Sequence, residues 1–467
     1  MPTAAATATA NATPASPVVA ADRAPSGDLW LPAFVAFQFV CQLALLTSWG
    51  GAIRVGLRSI AFVASAALIV VLRRRGAPLL ASARIAVFVL VLLGFEILHP
   101  LTNGVLSGIA HWALYLAILG PLFWVPRLEV TPKAIQRLML IFWLFHTVSA
   151  GFGVLQVVFP GSFQPRISDA VQKQGRDYVT GMEITLASGE RTLRPMGLTD
   201  VPGGAGPSGV YATLFSVGML YASRKLWQRV VALAAMPLGM AAVYLSHVRV
   251  SFVMLLICLT AAGLVLLLRR GVRRVAGFVT AVAVTAVLAY GWSVGLAGQT
   301  VSSRIESLTE DDPGQVYYRN RGVFLEYTIK ELLPEYPLGA GLGRWSMVNA
   351  YLGDTGDPER GPLWAEIQIT GWLYDGGVLL IFLYGAALAL AIRQALQIAV
   401  RTPSTRGLLW LWSAVLFAYD IGAAAVTFSY PVFIGQSGLE FWLFNAVLFS
   451  AAVREGVIVP RKRRVAG

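Results

Sequence analysis

Apolar runs of roughly 17 to 24 residues recur along this chain from end to end, each about the length needed to carry a helix across 30 Å of hydrocarbon. In lipid the backbone must satisfy its own hydrogen bonds, so such runs fold as helices. They fall near 29–48, 57–72, 84–101, 108–125, 138–159, 206–222, 229–246, 251–268, 275–297, 372–392, 408–427 and 437–453. The fold class they predict is an all-α polytopic membrane protein of about twelve transmembrane helices. Of the 467 residues, 56% are hydrophobic and only 13% charged, with a mean hydropathy of +0.66. Soluble domains are about one quarter charged. A large soluble core and two separate water-soluble halves are therefore excluded.

Basic residues set the orientation. Arg73 to Arg75, then Arg127/Lys133/Arg137, Arg224/Lys225/Arg229, Arg269 to Arg274, Arg393/Arg401/Arg406 and Arg461 to Arg464 occupy every second loop. That alternation follows the positive-inside rule and places both termini in the cytoplasm. Arg54 and Arg58 are an exception on the other side, and the arginines of the long outward segments do not count, since the rule applies to short loops. Residues 1–27, rich in Ala, Thr and Pro, read as a disordered cytoplasmic tail, and 456–467 as a basic one. The tail lacks the basic start and short apolar core of a cleavable signal, so the first span is expected to be retained. Between the tails, 28–455 reads as one transmembrane domain with two long polar segments, about 160–205 and 299–371, facing outward. In a Gram-negative inner membrane that side is the periplasm.

Several function classes drop out. The net charge of +13 is spread in clusters beside apolar runs, not as a patch on a soluble domain, which argues against nucleic acid. Cys41 and Cys258 lie inside apolar runs, and His99, His111, His146 and His247 are scattered without metal-ligand spacing. No metal and no cofactor is expected; Asp311-Asp312 reads as a solvated acidic loop and would make a poor cation site. The run Gly339-Ala-Gly341-Leu-Gly343 lacks GxxxxGK[ST] and would meet no ATP outside, so it reads as a glycine turn after a short helix.

The segment 299–371 concentrates eleven of the chain's 24 acidic residues between two apolar runs. Outward arginines accompany it. Arg249, in LSHVRVSFVML, sits where two spans meet with almost no loop. It reads either as a snorkelling anchor or as a guanidinium held to clamp phosphate, a task for which its rigid fork of donors is suited. Arg194, in RPMGLTDVPGG, and Arg319 and Arg321, in YYRNR, add to the set. Converging arginines would suit a lipid-linked pyrophosphate. Tyr317, Tyr318, Tyr336, Trp345, Trp364 and Trp372 fit sugar stacking or an interfacial aromatic belt.

The order of these motifs resembles the O-antigen ligase and Wzy-type O-antigen polymerase superfamily, membrane glycosyltransferases of the GT-C kind. Arg194-Pro-Met-Gly197 stands for its R-x-x-G segment, and Ser246-His247-Val-Arg249 for its S/T-x-x-R element. Arg321, the amphipathic stretch Phe324–Leu333 and the turn Pro337-Leu-Gly339-Ala-Gly341 follow in order. The family has a histidine about eleven residues before a glycine that opens the next span. Here Gly377 is that glycine, Asp375 precedes it by two, and Glu366 stands in the histidine's place. The likeness covers roughly 190–400.

The resemblance implies a metal-independent, inverting glycosyltransferase acting on an undecaprenyl-pyrophosphate-linked glycan donor at the outer face. Arg249 and Arg321 would steady the pyrophosphate as it leaves, with Arg194, Arg319, His247, Gly339 and Gly341 as further substrate contacts. Glu366 would take the proton of the attacking acceptor hydroxyl, or would merely pair with Arg360 or an outward arginine. The missing histidine favours a polysaccharide polymerase, in O-antigen or exopolysaccharide assembly, over a lipid A-core ligase. Implied partners are that donor, a glycan or lipid-linked acceptor, the bilayer and polysaccharide-export machinery. A flippase for lipid-linked oligosaccharide is the reading of another class, disfavoured by few mid-span charges (Glu96, Asp420 and Glu440, near span ends) and no internal repeat. A non-catalytic partner of an envelope polysaccharide complex is a third.

Overall fold

A computed structural model describes residues 25–47, 50–74, 76–167, 179–306, 312–354, 356, 360–403 and 405–459. The tail up to residue 24, Arg75, Asp311 and the basic cluster Arg461–Arg464 lie outside the described residues. Twelve long helices stand where the apolar runs predict them. They are α1 Gly27–Ala44, α2 Gly50–Val71, α3 Ala81–Glu96, α4 Val105–Leu119, α5 Pro132–Val158 and α6 Ala205–Ala222. Then come α7 Leu226–Leu245, α8 Arg249–Arg270, α9 Val272–Ala297, α10 Gln368–Arg401, α11 Gly407–Val426 and α12 Gln436–Arg454. The chain is a multi-pass membrane protein: their outer faces carry bare apolar side chains such as Phe88, Val287 and Phe382, which only lipid would cover.

Among the described residues eight helices are long and apolar enough to cross a membrane, or nine if α4 and the bent continuation Pro121–Arg127 count as one span. The remainder are α3, α6 and α12. Helix α3 has only 16 residues. Helices α6 and α12 fall short for a different reason: almost every residue from Ala205 to Met219 and from Gly438 to Ala452 is buried. Helices enclosed by other helices need no lipid-facing stripe, so they carry Ser208, Thr213, Ser216, Asn445 and Ser450 inside. Helix α11 sits in the same centre, with 83% of its apolar window buried, whereas α9 lies at the rim with 17%.

Polar side chains sew this centre together. Tyr211 donates to Glu440 and lies 2.7 Å from the Tyr419 hydroxyl. Asn445 donates to Asp420 at 2.9 Å. Asp420 is fully buried well inside α11 rather than near a span end, a correction to the sequence reading that leaves these acids as internal glue.

Alternate loops gather at opposite ends. At one end, Arg127 donates to the Leu72 carbonyl at 2.6 Å, Arg269 to Val400 at 2.6 Å, and Arg406 lies 3.7 Å from Glu455. At the other end the two long polar segments meet. The first carries a two-stranded hairpin, β1 Glu183–Thr185 against β2 Arg191–Leu193, and Thr300 donates to the Thr185 carbonyl at 2.8 Å. The second begins with the helix Gln299–Glu306 and continues, at 313–335, as one helical stretch with two π-turns, Tyr318–Gly322 and Thr328–Leu332.

Helix α10 is broken at Gly376 and Gly377. Gly377 has φ +63°, and a Cβ there would run into the Pro337 carbonyl and the Leu338 backbone. Gly377→Ala is therefore expected to lose about 2 kcal/mol or more, the usual cost of a strained αL residue plus a clash. Its melting temperature in detergent should fall by several degrees. An unchanged melting curve would show that the break is not required.

Candidate functional site

The end of the bundle that holds both polar segments is assembled around the break in α10. The Val378 N–H, deprived of its helical acceptor, donates to the Pro337 carbonyl at 3.0 Å, and the Ala340 N–H donates to the Tyr374 carbonyl at 2.7 Å. The turn 337–343 thus replaces the hydrogen bonds that the helix lacks. The same turn rests on the loop after α3. Leu342 N–H donates to Thr102 Oγ1 at 3.2 Å, Asn103 N–H to the Leu342 carbonyl at 3.1 Å, and Ser107 to the Gly343 carbonyl at 3.1 Å. A Cβ on Gly341 (φ +83°) would strike Leu101 and Thr102 backbone. Gly339 and Gly341, expected to touch substrate, are both buried against protein backbone. What they do here is shape the turn.

Beneath that turn lies a constellation the sequence reading did not assign. Asp375, fully buried, accepts from Tyr115 at 2.7 Å and from Trp345 Nε1–H at 2.8 Å, with His111 Nε2 at 3.1 Å. Three side chains converge on one buried carboxyl group and satisfy its oxygens. Trp345 and Trp372 belong to this interior: Trp345 packs on Gly371 and Trp372 lies 4.7 Å from the Tyr384 ring. Neither can stack on a sugar or sit in an interfacial belt. Tyr317, Tyr318 and Trp364 remain exposed.

The arginines group as follows. Arg321 forms an ion pair with Glu366, whose other oxygen accepts from Trp364 Nε1–H at 2.8 Å. The Arg321 guanidinium also lies 6.0 Å from the Phe324 ring centre. Arg249 Nη1 donates at 3.0 Å to Asn320 Oδ1, the residue next to Arg321. Arg249, Arg321 and Glu366 are therefore brought together through one helical stretch, and both are half-exposed in the pair Arg321–Glu366. Glu366 makes the arginine pairing that the sequence left open, and the partner is Arg321. Nearby, Tyr318 donates to Glu326, which also pairs with Lys330. The Lys330 bond holds the Glu326 carboxyl below its ordinary range, and the bond to Glu326 pushes the Tyr318 phenol up.

Arg194 takes a flanking place. Its Nη2 donates to the Gly181 carbonyl at 3.2 Å, and its own carbonyl accepts from Gly203. Gln156 clasps the Pro-Met-Gly turn after it, with Oε1 accepting from Met196 N–H at 2.8 Å and Gly197 N–H at 2.9 Å. Gly203 abuts Val248, so this segment lies beside the Ser246–Arg249 corner. His247 is buried at that corner with φ 53°. Arg319 is exposed on the first π-turn. Among the described residues no cluster of three or more His, Cys, Asp or Glu could hold a metal ion.

A further pair stands where the charge rule failed. Arg54 Nη1 and Arg58 Nη2, on α2, both reach Asp200 Oδ2 at 2.7 Å. The Arg54/Arg58 spacing of four residues puts both on one helix face, a signal present in the sequence without its partner.

No protein-family model matches the chain, and no curated protein is similar to it in sequence.

Asp375→Ala leaves three buried donors without an acceptor and is expected to cost about 3 kcal/mol or more, with little folded protein recovered. Asp375→Asn keeps shape and one acceptor and should lose less. Equal thermal stability of Asp375→Ala and the parent would show that the carboxylate is not the anchor of this end.

Proposed function

We propose that this chain is a membrane glycosyltransferase of the outer face, which transfers or polymerises glycan from an undecaprenyl-pyrophosphate-linked donor in polysaccharide assembly. The observation that carries the reading is the grouping of Arg249, Arg321 and Glu366 at the end of the bundle opposite the basic loops. One guanidinium paired with a carboxylate, and a second held by the neighbouring Asn320, supply what the reaction needs. Negative charge growing on a departing pyrophosphate meets fixed donors, and an acceptor hydroxyl meets a group able to take its proton. The membrane is the bacterial inner membrane, crossed about twelve times, with both termini cytoplasmic. A polymerase is favoured over a lipid A-core ligase, because a glutamate takes the histidine's place at 366.

The donor would be held with its pyrophosphate between Arg249 and Arg321, and Arg194 and Arg319 at the flanks. Its lipid tail would stay in the outer leaflet. Both Glu366 oxygens are engaged, by Arg321 and Trp364. A dianion competing for Arg321 would free one of them to accept the proton, with attack from the face opposite the leaving group giving inversion.

One observation bears on the flippase reading, namely the broken helix α10, since transporters use such breaks at the bilayer midplane. From Val378 to Arg401 the helix is still roughly 36 Å long, enough to cross by itself. The break then belongs at the outer boundary, where a transferase site would lie.

Arg249→Ala and Arg321→Ala should each lower transfer by about 100-fold or more, the scale for losing one donor to developing charge. Glu366→Gln should lose about 100- to 10,000-fold in rate with donor binding kept. Wild-type polymer length and amount in a deletion strain carrying Arg249→Ala or Arg321→Ala would end the enzyme reading. Orientation has its own test in single cysteines placed in the Cys41→Ala/Cys258→Ala background. Cysteines at Ser188 and Met347 should react with an impermeant maleimide in intact spheroplasts, and cysteines at the exposed Lys225 and Thr405 only after lysis. The reverse pattern would invert the topology.

A further inference from the structure

Arg54 and Arg58 lie in the first turns of α2, close to its N-terminus at Gly50. They meet a single carboxylate, and both use the same oxygen, Asp200 Oδ2. One positive charge is left over in a setting of low exposure, with side chains 8% and 24% accessible for Arg54 and Arg58. Arg54 Nε–H is buried and meets no acceptor. Beyond Asp200, Arg58 reaches Met347 Sδ at 3.9 Å, a weak acceptor, and no other among the described residues. Two guanidiniums sharing one carboxylate oxygen leave a net positive charge and donors to spare, which an anion would satisfy.

The position gives the anion its character. Asp200 belongs to the segment whose Gly203 abuts Val248, next to Arg249. Gln42 of α1 donates to the Leu198 carbonyl of the same segment at 3.1 Å. The segment 194–205 therefore stands between two arginine groups, Arg54/Arg58 on α2 and Arg249/Arg321 behind it. Both groups lie at the end of the bundle that faces the outer leaflet in the orientation above.

We propose that Arg54 and Arg58 form a second phosphate-binding site, for the diphosphate of a lipid-linked acceptor, which competes with Asp200 for the two guanidiniums. This deepens the transferase reading and rests on it: chain elongation joins two lipid-diphosphate substrates, so it needs a second diphosphate site beside that of the donor. Asp200 acts as a resident competitor. An incoming diphosphate presents several oxygens to the two forks where Asp200 presents one, and takes over the guanidiniums in a charge-assisted, bidentate way.

The test is native mass spectrometry of the full chain in detergent, titrated with farnesyl diphosphate, inorganic pyrophosphate and phosphatidylglycerol in separate arms. Two farnesyl diphosphates should bind per wild-type chain. Arg58→Gln, chosen because the residue is partly exposed, should leave one, and the double variant Arg249→Gln/Arg321→Gln should leave the other. Asp200→Asn should bind the second molecule roughly tenfold more tightly, the effect of removing one charged competitor. A staple with no ligand would instead lose thermal stability in Asp200→Asn and gain no affinity. A single farnesyl diphosphate, lost in Arg249→Gln/Arg321→Gln and indifferent to Arg58→Gln, overturns the second site and leaves the transferase reading standing. Two molecules that are both indifferent to Arg249→Gln/Arg321→Gln overturn the transferase site itself. Displacement of the second molecule by phosphatidylglycerol at equal concentration overturns the acceptor assignment in favour of bulk lipid.

Discussion

An unbroken α10 would need nothing from the rest of this molecule, and its break at Gly376–Gly377 is what ties together the end that holds both polar segments. Backbone groups freed inside or beside hydrocarbon must find partners in protein, because lipid offers none. The Pro337 carbonyl and the Ala340 N–H are those partners. Their supply fixes the turn 337–343 against α10, and the turn in turn docks on Thr102, Asn103 and Ser107. Asp375 stands at the break and draws in Tyr115 and His111 from α4 and Trp345 from the second polar segment. A loop of more than sixty residues would otherwise cost much conformational entropy to hold in place. Here its middle is locked by hydrogen bonds that a helix interruption made available.

From that anchor the polar groups are placed outward in order. The helical stretch 313–335 leads back from the turn and is pinned on α10 by Thr328 and Thr370, whose hydroxyls lie 2.6 Å apart. Its first π-turn carries Arg319 and Arg321 and meets Arg249 through Asn320. A π-turn widens the local helix and often marks a site where side chains must be re-aimed. The result is a rigid floor, built on buried carboxylate and glycine turn, beneath a half-exposed layer of arginines and one glutamate. The charges in that layer are partly neutralised pair by pair, Arg321 by Glu366 and Arg54 with Arg58 by Asp200.

Much of this was legible in the residues. Each of the twelve apolar runs falls on a helix, because hydrocarbon length and backbone satisfaction leave little choice. The two polar segments share one end, as the alternation of basic loops required. The enclosed helices α6 and α12 were found by their length, although their polar interior faces weaken the apolar signal. Less legible was everything that depends on long-range pairing. Arg54 and Arg58 looked like an exception to a charge rule until Asp200, some 140 residues away, gave them a partner. His111 and Tyr115 looked like ordinary residues of an apolar run, since only the fold brings Asp375 to them. Trp345 and Trp372 carried an aromatic signal that composition could not separate into surface and core. Gly339 and Gly341 were singled out correctly as a turn, while their burial, a tertiary property, had no trace in the local sequence.

The account turns on whether the arginine layer serves transfer of a glycan from a lipid pyrophosphate. The direct measurement is incubation of the purified chain in detergent with a lipid-pyrophosphate-linked repeat unit, without nucleotide, followed by size and linkage analysis of the product. Longer glycan on the same lipid carrier, with one undecaprenyl pyrophosphate released per bond formed, is the expected result. Unchanged substrate under conditions where the protein binds it, or movement of intact substrate across proteoliposomes without new glycosidic bonds, would contradict it.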